Sequence, residues 1–138
     1  MFETDGADGT EAAGASLARE LQAGDVVHVA GELGTGKTTL VRGACGALGV
    51  TVPVTSPTFA IAHRYAAAGG VRVAHVDLYR LEDPVAEDPD LLADYLDADT
   101  IAFVEWPREG WQELPAPRIT VTLRHLGGDR RQIEIARR

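Results

Sequence analysis

The chain has 138 residues, 45% of them hydrophobic, which suffices for one domain with one core but not for two domains of ordinary size. Its net charge of −8 argues against binding nucleic acid over the whole surface. No apolar run approaches the ~20 residues of a membrane span. We therefore expect a single domain over residues 1–138, no membrane role, and only local contact with any nucleic acid.

The N-terminal region is expected to form a short leader followed by a helix. Residues 1–9 are acidic and lack the basic and apolar runs of a secretory signal, which predicts a flexible leader and a cytoplasmic protein. Thr10 can cap a helix, and apolar side chains after it recur at spacings of four residues. A helix is therefore predicted from Thr10 to about Ala23.

The next segment predicts a strand, a glycine-rich loop and a helix. Residues 26–30 are a β-branched run that opens into GELGTGKTT, and the residues after that loop have helical periodicity. Cys45 lies on the apolar face of this helix, and as the single cysteine it cannot form an internal disulfide. We interpret Cys45 as a buried structural thiol.

The middle of the chain alternates between loops and strands. Residues 50–60 hold two prolines and four serines or threonines, which predicts a loop, and residues 59–65 are expected to re-enter the sheet. Residues 71–78 alternate as a strand, and an acidic loop then leads to a short helix from about Asp90. The apolar run at 101–105 predicts another strand.

The last part of the chain predicts an antiparallel hairpin. Residues 118–125 alternate between apolar and polar side chains, LGGDR is a turn sequence, and residues 131–137 alternate again. The expected fold class is α/β: a single P-loop NTPase-like domain with a mostly parallel sheet, helices on both sides and a C-terminal antiparallel hairpin.

The glycine-rich loop carries the strongest functional signal. Residues 31–38 match the pattern G-x-x-x-x-G-K-[ST] in full, between a predicted strand and a predicted helix. Such a loop directs backbone N–H groups at phosphates, Lys37 adds a positive charge, and Thr38 offers a hydroxyl to Mg²⁺. The predicted nucleotide-binding residues of this loop are Gly34, Thr35, Gly36, Lys37, Thr38 and Thr39.

Adenine is the expected base of the nucleotide. Lys37 is the only lysine in the chain, and it already belongs to the phosphate-binding loop. The guanine-reading motif N/T-K-x-D needs a second lysine, so it cannot be present. The predicted cofactors are ATP and Mg²⁺.

Two carboxylates follow apolar strands and are candidates for ordering magnesium or the attacking water. Asp77 ends the strand pattern VRVAHV, and Glu105 ends the pattern IAFV. The sequence does not rank the two, and a carboxylate at a strand end is also a common turn residue. The candidate catalytic residues are Lys37, Asp77 and Glu105, and the candidate metal ligands are Thr38, Asp77 and Glu105.

Four motifs together make the chain resemble the bacterial TsaE family, ATPases of tRNA threonylcarbamoyladenosine synthesis. They are GELGTGKTTLVRG, TSPTF from Thr55, HVDLYRLEDP from His75 and VEWP from Val104, in the family's order and spacing. The resemblance runs over nearly the whole chain. It implies that Thr38 and Glu105 hold Mg²⁺ and that Asp77 lies in the catalytic centre.

The same resemblance implies roles for three further features. Thr10 is expected near the nucleotide, although a helix cap explains it equally well. Trp106 belongs to the family's functional motif, or it is a core aromatic beside the site. TSPTF resembles a switch segment that closes over the γ-phosphate, with Phe59 in place of the commoner tyrosine.

The activity implied by the resemblance is hydrolysis of ATP to ADP and phosphate, with Asp77 or Glu105 orienting the water. The sequence has no obvious arginine finger, which predicts slow turnover alone and stimulation by partners. In the family those partners are TsaD and TsaB, the transferase that modifies tRNA, so tRNA is reached through the complex. Hydrolysis is then expected to reset or regulate that transferase.

The arginines are unevenly distributed along the chain. Six of the twelve lie in the last 21 residues. They are candidates for contact with the partner or the tRNA, as is Arg80, or they form a solvated face of the last two strands.

Two other functions remain open from the sequence. A small-molecule kinase uses the same phosphate-binding loop but needs an acceptor pocket and usually a basic lid, and no predicted loop holds such an arginine cluster. A regulatory module would bind nucleotide only to order the TSPTF segment, without useful hydrolysis.

Overall fold

The computed structural model describes residues 1–31, 35–55, 62–77, 96–105 and 117–137. Within these ranges lie seven strands, two α-helices and one short 3-10 turn. They are β1 (Phe2–Asp5), α1 (Gly6–Ala18), β2 (Val26–Ala30), α2 (Lys37–Ala47), β3 (Ala62–Ala66), the 3-10 turn (Ala68–Gly70), β4 (Arg72–Asp77), β5 (Thr100–Glu105), β6 (Ile119–Gly127) and β7 (Arg130–Arg137).

All seven strands join one sheet in the order β1-β7-β6-β2-β5-β4-β3. The four central strands β6, β2, β5 and β4 run parallel, and β3, β7 and β1 pair antiparallel at the two edges. The predicted α/β fold with a parallel centre and a C-terminal hairpin is confirmed. Because β2, β5 and β4 are parallel, their carboxyl ends meet at one edge, where α2 begins.

The sheet has an apolar cluster on each face. Val27 and Val29 of β2 and Phe103 of β5 join side chains of both helices, such as Leu17 and Leu40, in the larger cluster. The alternate strand residues form the smaller cluster on the other face. Every residue of β5 is buried, as expected for a central parallel strand covered on both faces. The helix predicted from about Asp90 lies outside the described residues.

Helices α1 and α2 cross at two glycines. A Cβ atom on Gly14 of α1 would lie 2.0 Å from the carbonyl oxygen of Leu40, and one on Gly43 of α2 would lie 2.0 Å from that of Glu11. No side chain fits at either distance, so glycine at both positions allows the two backbones to touch. This contact fixes α1 against the helix that follows the glycine-rich loop.

The N-terminal residues differ from the sequence-based expectation. Residues 2–5 form an edge strand on β7 and not a flexible leader, with Phe2 opposite Ile133. An ion pair of 2.7 Å between Glu3 and Arg130 joins the acidic leader to the basic strand. Backbone pairing with β7, accompanied by this exposed ion pair, therefore gives the acidic segment a place at the edge of the sheet.

Helix α1 runs from Gly6 to Ala18, so the predicted bounds of Thr10 and Ala23 were wrong at both ends. The helix begins directly after β1, and Asp5 occupies the position before its first residue. Thr10 lies in the second turn and therefore cannot cap the helix. No helix in the described ranges is long and apolar enough to cross a membrane.

Candidate nucleotide-binding site

The glycine-rich loop joins the end of β2 to the start of α2, and two of its glycines are required by geometry. Gly31 has φ +153°, and a Cβ there would lie 2.7 Å from both the Leu123 carbonyl oxygen and Thr35 Oγ1. Gly36, directly before α2, has a left-handed backbone with φ 96°. Both positions exclude an ordinary side chain. Gly34 lies outside the described residues.

Lys37 is the first residue of α2, and its ammonium group folds back over the loop. It is only 7% exposed, and Nζ donates a hydrogen bond of 2.6 Å to the Gly31 carbonyl oxygen. Burial lowers the pKa of Lys37, whereas the charges of Glu105 and Asp77 act to raise it. The ammonium group thus lies at the mouth of the loop, within the electrostatic reach of both candidate carboxylates.

Asp77 and Glu105 end adjacent parallel strands and lie opposite each other in register. They are 7% and 3% exposed, so neither is a solvated turn residue. Glu105 follows Phe103 on the sheet face covered by α2, because side chains two residues apart point the same way. The two predicted carboxylates therefore lie side by side at the edge where the loop begins.

The strand order distinguishes the two carboxylates, which the sequence could not do. Strand β5 pairs directly with β2, with Glu105 opposite Val29, whereas β4 lies one strand farther away. Glu105 Oε1 is 3.5 Å from Thr38 Oγ1. Glu105 is therefore the carboxylate that meets the loop helix.

His75 is a third polar side chain in this cluster, and no role was predicted for it. It is fully buried, and Nε2 forms a short hydrogen bond with Glu105 Oε2. The sequence contained a signal for this contact, because His75 lies two residues before Asp77 and so shares its sheet face. A histidine within an otherwise apolar strand needs a polar partner.

The remaining predicted site residues either lie near the glycine-rich loop or fall outside the described residues. Thr10 is buried, with its Oγ1 3.1 Å from Thr4 Oγ1, and its methyl carbon would lie 3.5 Å from a Cβ on Gly36. Thr35 is also buried, whereas Thr39 is partly exposed in the first turn of α2. Trp106 and the TSPTF residues from 56 onward lie outside the described residues.

The groups at this edge fit a magnesium ion that is shared with phosphates. Within the described ranges, no three His, Cys, Asp or Glu side chains are arranged to hold a metal on their own. Mg²⁺ in a nucleotide site typically needs one or two carboxylates, with phosphate and water oxygens completing the shell. Adjacent oxygen ligands of one octahedral Mg²⁺ lie about 3 Å apart. Thr38 Oγ1 and Glu105 Oε1 are 3.5 Å apart, so a small side-chain movement would bring them to that distance.

Three of the C-terminal arginines pair with carboxylates from the first 25 residues. Arg118 is 2.8 Å from Asp25, Arg130 is 2.7 Å from Glu3, and Arg137 donates two hydrogen bonds of 2.7 Å to Glu20. Much of the positive charge of this segment is therefore balanced within the chain. This pairing favours a solvated structural face over a basic binding surface. Arg80 and Arg138 lie outside the described residues.

Comparison with known proteins identifies a family. The sequence model of the family described as Threonylcarbamoyl adenosine biosynthesis protein TsaE matches residues 4–133. A Streptomyces coelicolor protein named tRNA threonylcarbamoyladenosine biosynthesis protein TsaE is 44% identical over 117 residues, 84% of this chain and 79% of that protein. The Bacillus subtilis protein of the same name is 39% identical over 111 residues, 80% of this chain and 68% of that protein.

A solved structure agrees with the sequence comparison. The crystal structure of Bacillus subtilis YdiB matches this fold with a TM-score of 0.76 and 30% sequence identity, over 96% of this chain and 80% of that chain. The sequence match extends from β1 into β7, so it includes the loop and both strand-end carboxylates. The chain therefore belongs to the TsaE family.

Proposed function

We propose that this chain is the ATP-binding and ATP-hydrolysing component of tRNA threonylcarbamoyladenosine biosynthesis. The relatives are named for that pathway. One observation of the site carries the proposal: the Thr38 hydroxyl and the Glu105 carboxylate converge at 3.5 Å at the start of α2. This is the arrangement that a P-loop enzyme needs to bind a nucleotide with its metal.

The loop and the N-terminus of α2 bind the phosphates of ATP in this proposal. Backbone N–H groups and the positive end of the helix dipole attract the anion. The Lys37 ammonium group, which donates to the Gly31 carbonyl oxygen, would donate to a phosphate oxygen instead, in a charge-assisted hydrogen bond. Thr10, packed beside Gly36, closes the loop from the side of α1.

Thr38 and Glu105 would hold the metal ion, and Asp77 would orient the attacking water. When bound there, Mg²⁺ would offset the negative charge that builds up during hydrolysis. Glu105 is assigned to the metal because it is the carboxylate beside Thr38. Asp77, one strand farther from the loop, remains available to accept a hydrogen bond from the attacking water and orient it.

Hydrolysis serves the transferase formed by TsaD and TsaB in this proposal and resets or regulates it between cycles. From this role in tRNA modification we infer a cytoplasmic protein. The sequence has no obvious arginine finger, and such an arginine contributes about 10³ to 10⁵ in kcat in related enzymes. This supports slow turnover by the protein in the absence of its partners.

Phosphate release from ATP tests this function. The purified protein is assayed with Mg²⁺, alone and then with TsaD and TsaB from the same organism, with Lys37→Ala as the inactive control. Slow release that rises with the partners and is lost in Lys37→Ala supports the proposal. Tight ATP binding with no release in either condition would identify a regulatory module, and transfer of phosphate to a metabolite would identify a kinase.

A further inference from the structure

The two oxygens of the Glu105 carboxylate face two different parts of the fold. Oε2 accepts a hydrogen bond from the imidazole of His75 on β4. Oε1 faces the Thr38 hydroxyl on α2, at 3.5 Å. One oxygen is thus held by the sheet, and the other is presented to the loop helix.

The surroundings of His75 fix which atom carries its proton. His75 is 0% exposed and Glu105 3% exposed, so solvent does not compete for their contact. An ionised carboxylate only accepts hydrogen bonds, so a metal-binding Glu105 requires Nε2 of His75 as the donor. Nδ1 has no hydrogen-bond partner in the part of the chain that the structure describes. An unpartnered lone pair is tolerated in an interior more readily than an unpartnered N–H, which agrees with a proton on Nε2.

The hydrogen bond removes a freedom that Glu105 would otherwise have. A glutamate has three rotatable side-chain bonds, and an unheld carboxylate at a strand end can turn in several directions. The His75 ring is fixed by its own burial in β4, next to β5. A fixed donor at Oε2 therefore sets the direction of Oε1.

We propose that His75 is a positioning residue, which holds Oε2 of Glu105 so that Oε1 faces Thr38 at the place where Mg²⁺ accompanies ATP. The inference rests on the proposed function, because it assigns Glu105 to the metal. Partners that orient a metal-binding carboxylate typically contribute 10- to 100-fold in metal affinity or activity. A histidine that only fills space in the sheet would contribute nothing specific to the metal.

Two variants of His75 separate the donor from the shape of the ring. His75→Phe keeps a flat ring but has no donor, whereas His75→Gln replaces the ring with an amide N–H at a similar reach. Binding of the ATP analogue AMP-PNP is measured by calorimetry with Mg²⁺ and, separately, with EDTA. The ratio of the two dissociation constants gives the contribution of Mg²⁺, without any need for turnover.

His75→Phe is expected to lose about 10- to 100-fold of the Mg²⁺-dependent gain in affinity while binding in EDTA is unchanged. His75→Gln is expected to retain most of the gain. In a Glu105→Gln background, His75→Phe should cause no further loss, because it acts only through Glu105. His63→Phe, opposite His75 on β3, is the control and should behave as the wild type.

Two results would overturn the inference about His75 alone. If His75→Phe loses affinity equally with Mg²⁺ and with EDTA, the role of His75 is purely structural. If the Mg²⁺-dependent gain in affinity is undiminished in His75→Phe, His75 does not position Glu105. If the wild-type chain gains nothing from Mg²⁺, the proposed function fails and the inference fails with it. Should His75→Phe not fold, His75→Asn takes its place, since its shorter amide does not reach Oε2. The inference then requires that His75→Asn loses the Mg²⁺-dependent gain in affinity and that His75→Gln keeps it.

Discussion

Gly43 of α2 lies directly on the backbone of α1, so that a Cβ atom at this position would sit 2.0 Å from the carbonyl oxygen of Glu11. The reciprocal contact of Gly14 with Leu40 lies on the same crossing. Since α2 begins at Lys37, the close packing of the two helices also fixes the position of the helix that carries the lysine of the glycine-rich loop.

Gly43→Ala should therefore destabilise the protein despite the better helix propensity of alanine. Overpacking typically costs 1–3 kcal/mol, and here the obstacle is backbone, which cannot rotate away. Gly46→Ala is the matched control, because it lies in the same helix with nothing within 4 Å of the added carbon. It should stabilise by up to ~1 kcal/mol. Urea unfolding measures the free energy of unfolding of both variants. An increase in that free energy in Gly43→Ala would contradict the close contact.

Cys45 should make the stability fall at alkaline pH. Burial raises the pKa of its thiol from 9.0 to about 12. The native chain keeps a proton that the unfolded chain releases above pH 9, so the free energy of unfolding decreases between pH 9 and 12. The slope from this thiol approaches about 1.4 kcal/mol per pH unit. Urea unfolding at several pH values should show a shallower decline in Cys45→Ala, and equal slopes would refute the prediction.

Thr38→Val should weaken the contribution of Mg²⁺ to nucleotide binding by about 10- to 100-fold. The substitution keeps the volume of the side chain and removes the hydroxyl that faces Glu105. Thr38→Ser retains the hydroxyl and should behave as the wild type. Calorimetry with and without Mg²⁺ measures this contribution to the affinity. If Thr38→Val and Thr38→Ser gain equally from Mg²⁺, the Thr38 hydroxyl is not a ligand of the metal.

Asp77→Asn should reduce phosphate release by about 100-fold or more, because an amide is a poor acceptor for the proton of the water. The affinity for ATP with Mg²⁺ should be retained, since Glu105 lies nearer the loop helix. Single-turnover phosphate release and calorimetry on the same sample provide both numbers. If the Mg²⁺-dependent affinity falls instead, the roles of Asp77 and Glu105 have to be exchanged.

Replacing Arg130 and Arg131 with glutamine should leave complex formation with TsaD and TsaB unchanged. Arg130 is already paired with Glu3, and Arg131 donates to the backbone carbonyl oxygens of Gly128 and Arg130. Co-purification of the three proteins measures the outcome. Loss of the complex in the double variant, with an unchanged melting temperature, would make this hairpin a partner surface.

The loop and the sheet around it could be predicted from the sequence because local signals specify them. Residues 26–30 are β2 as predicted, and the motif that follows leads into α2 as expected. The hairpin of β6 and β7 was equally evident from alternation and a turn sequence. In these segments, the hydrophobic period and the turn residues agree with the tertiary fold.

The parts that could not be predicted depend on contacts between distant residues. The N-terminal strand pairs with β7, with Phe2 opposite Ile133, and no sequence pattern near residue 2 predicts this pairing. The strand patterns did not rank Glu105 above Asp77 as the carboxylate beside Thr38, because that follows from strand order, which alternation does not encode. Only the family resemblance implied it. The hydrogen bond of His75 to Glu105 joins residues 30 positions apart. The sequence puts His75 on the sheet face of Asp77, but only the register of two parallel strands identifies Glu105 as its partner.

Strand β2 has both of its neighbours in the second half of the chain: β5 begins at Thr100 and β6 at Ile119. When the glycine-rich loop has just been synthesised, the two strands that flank β2 in the sheet have therefore not yet been made. Parallel pairing of this range is slow to form, since loop closure precedes any gain from contact. A chain that ends before β6 thus contains the whole glycine-rich loop but lacks one of the two strands between which β2 lies.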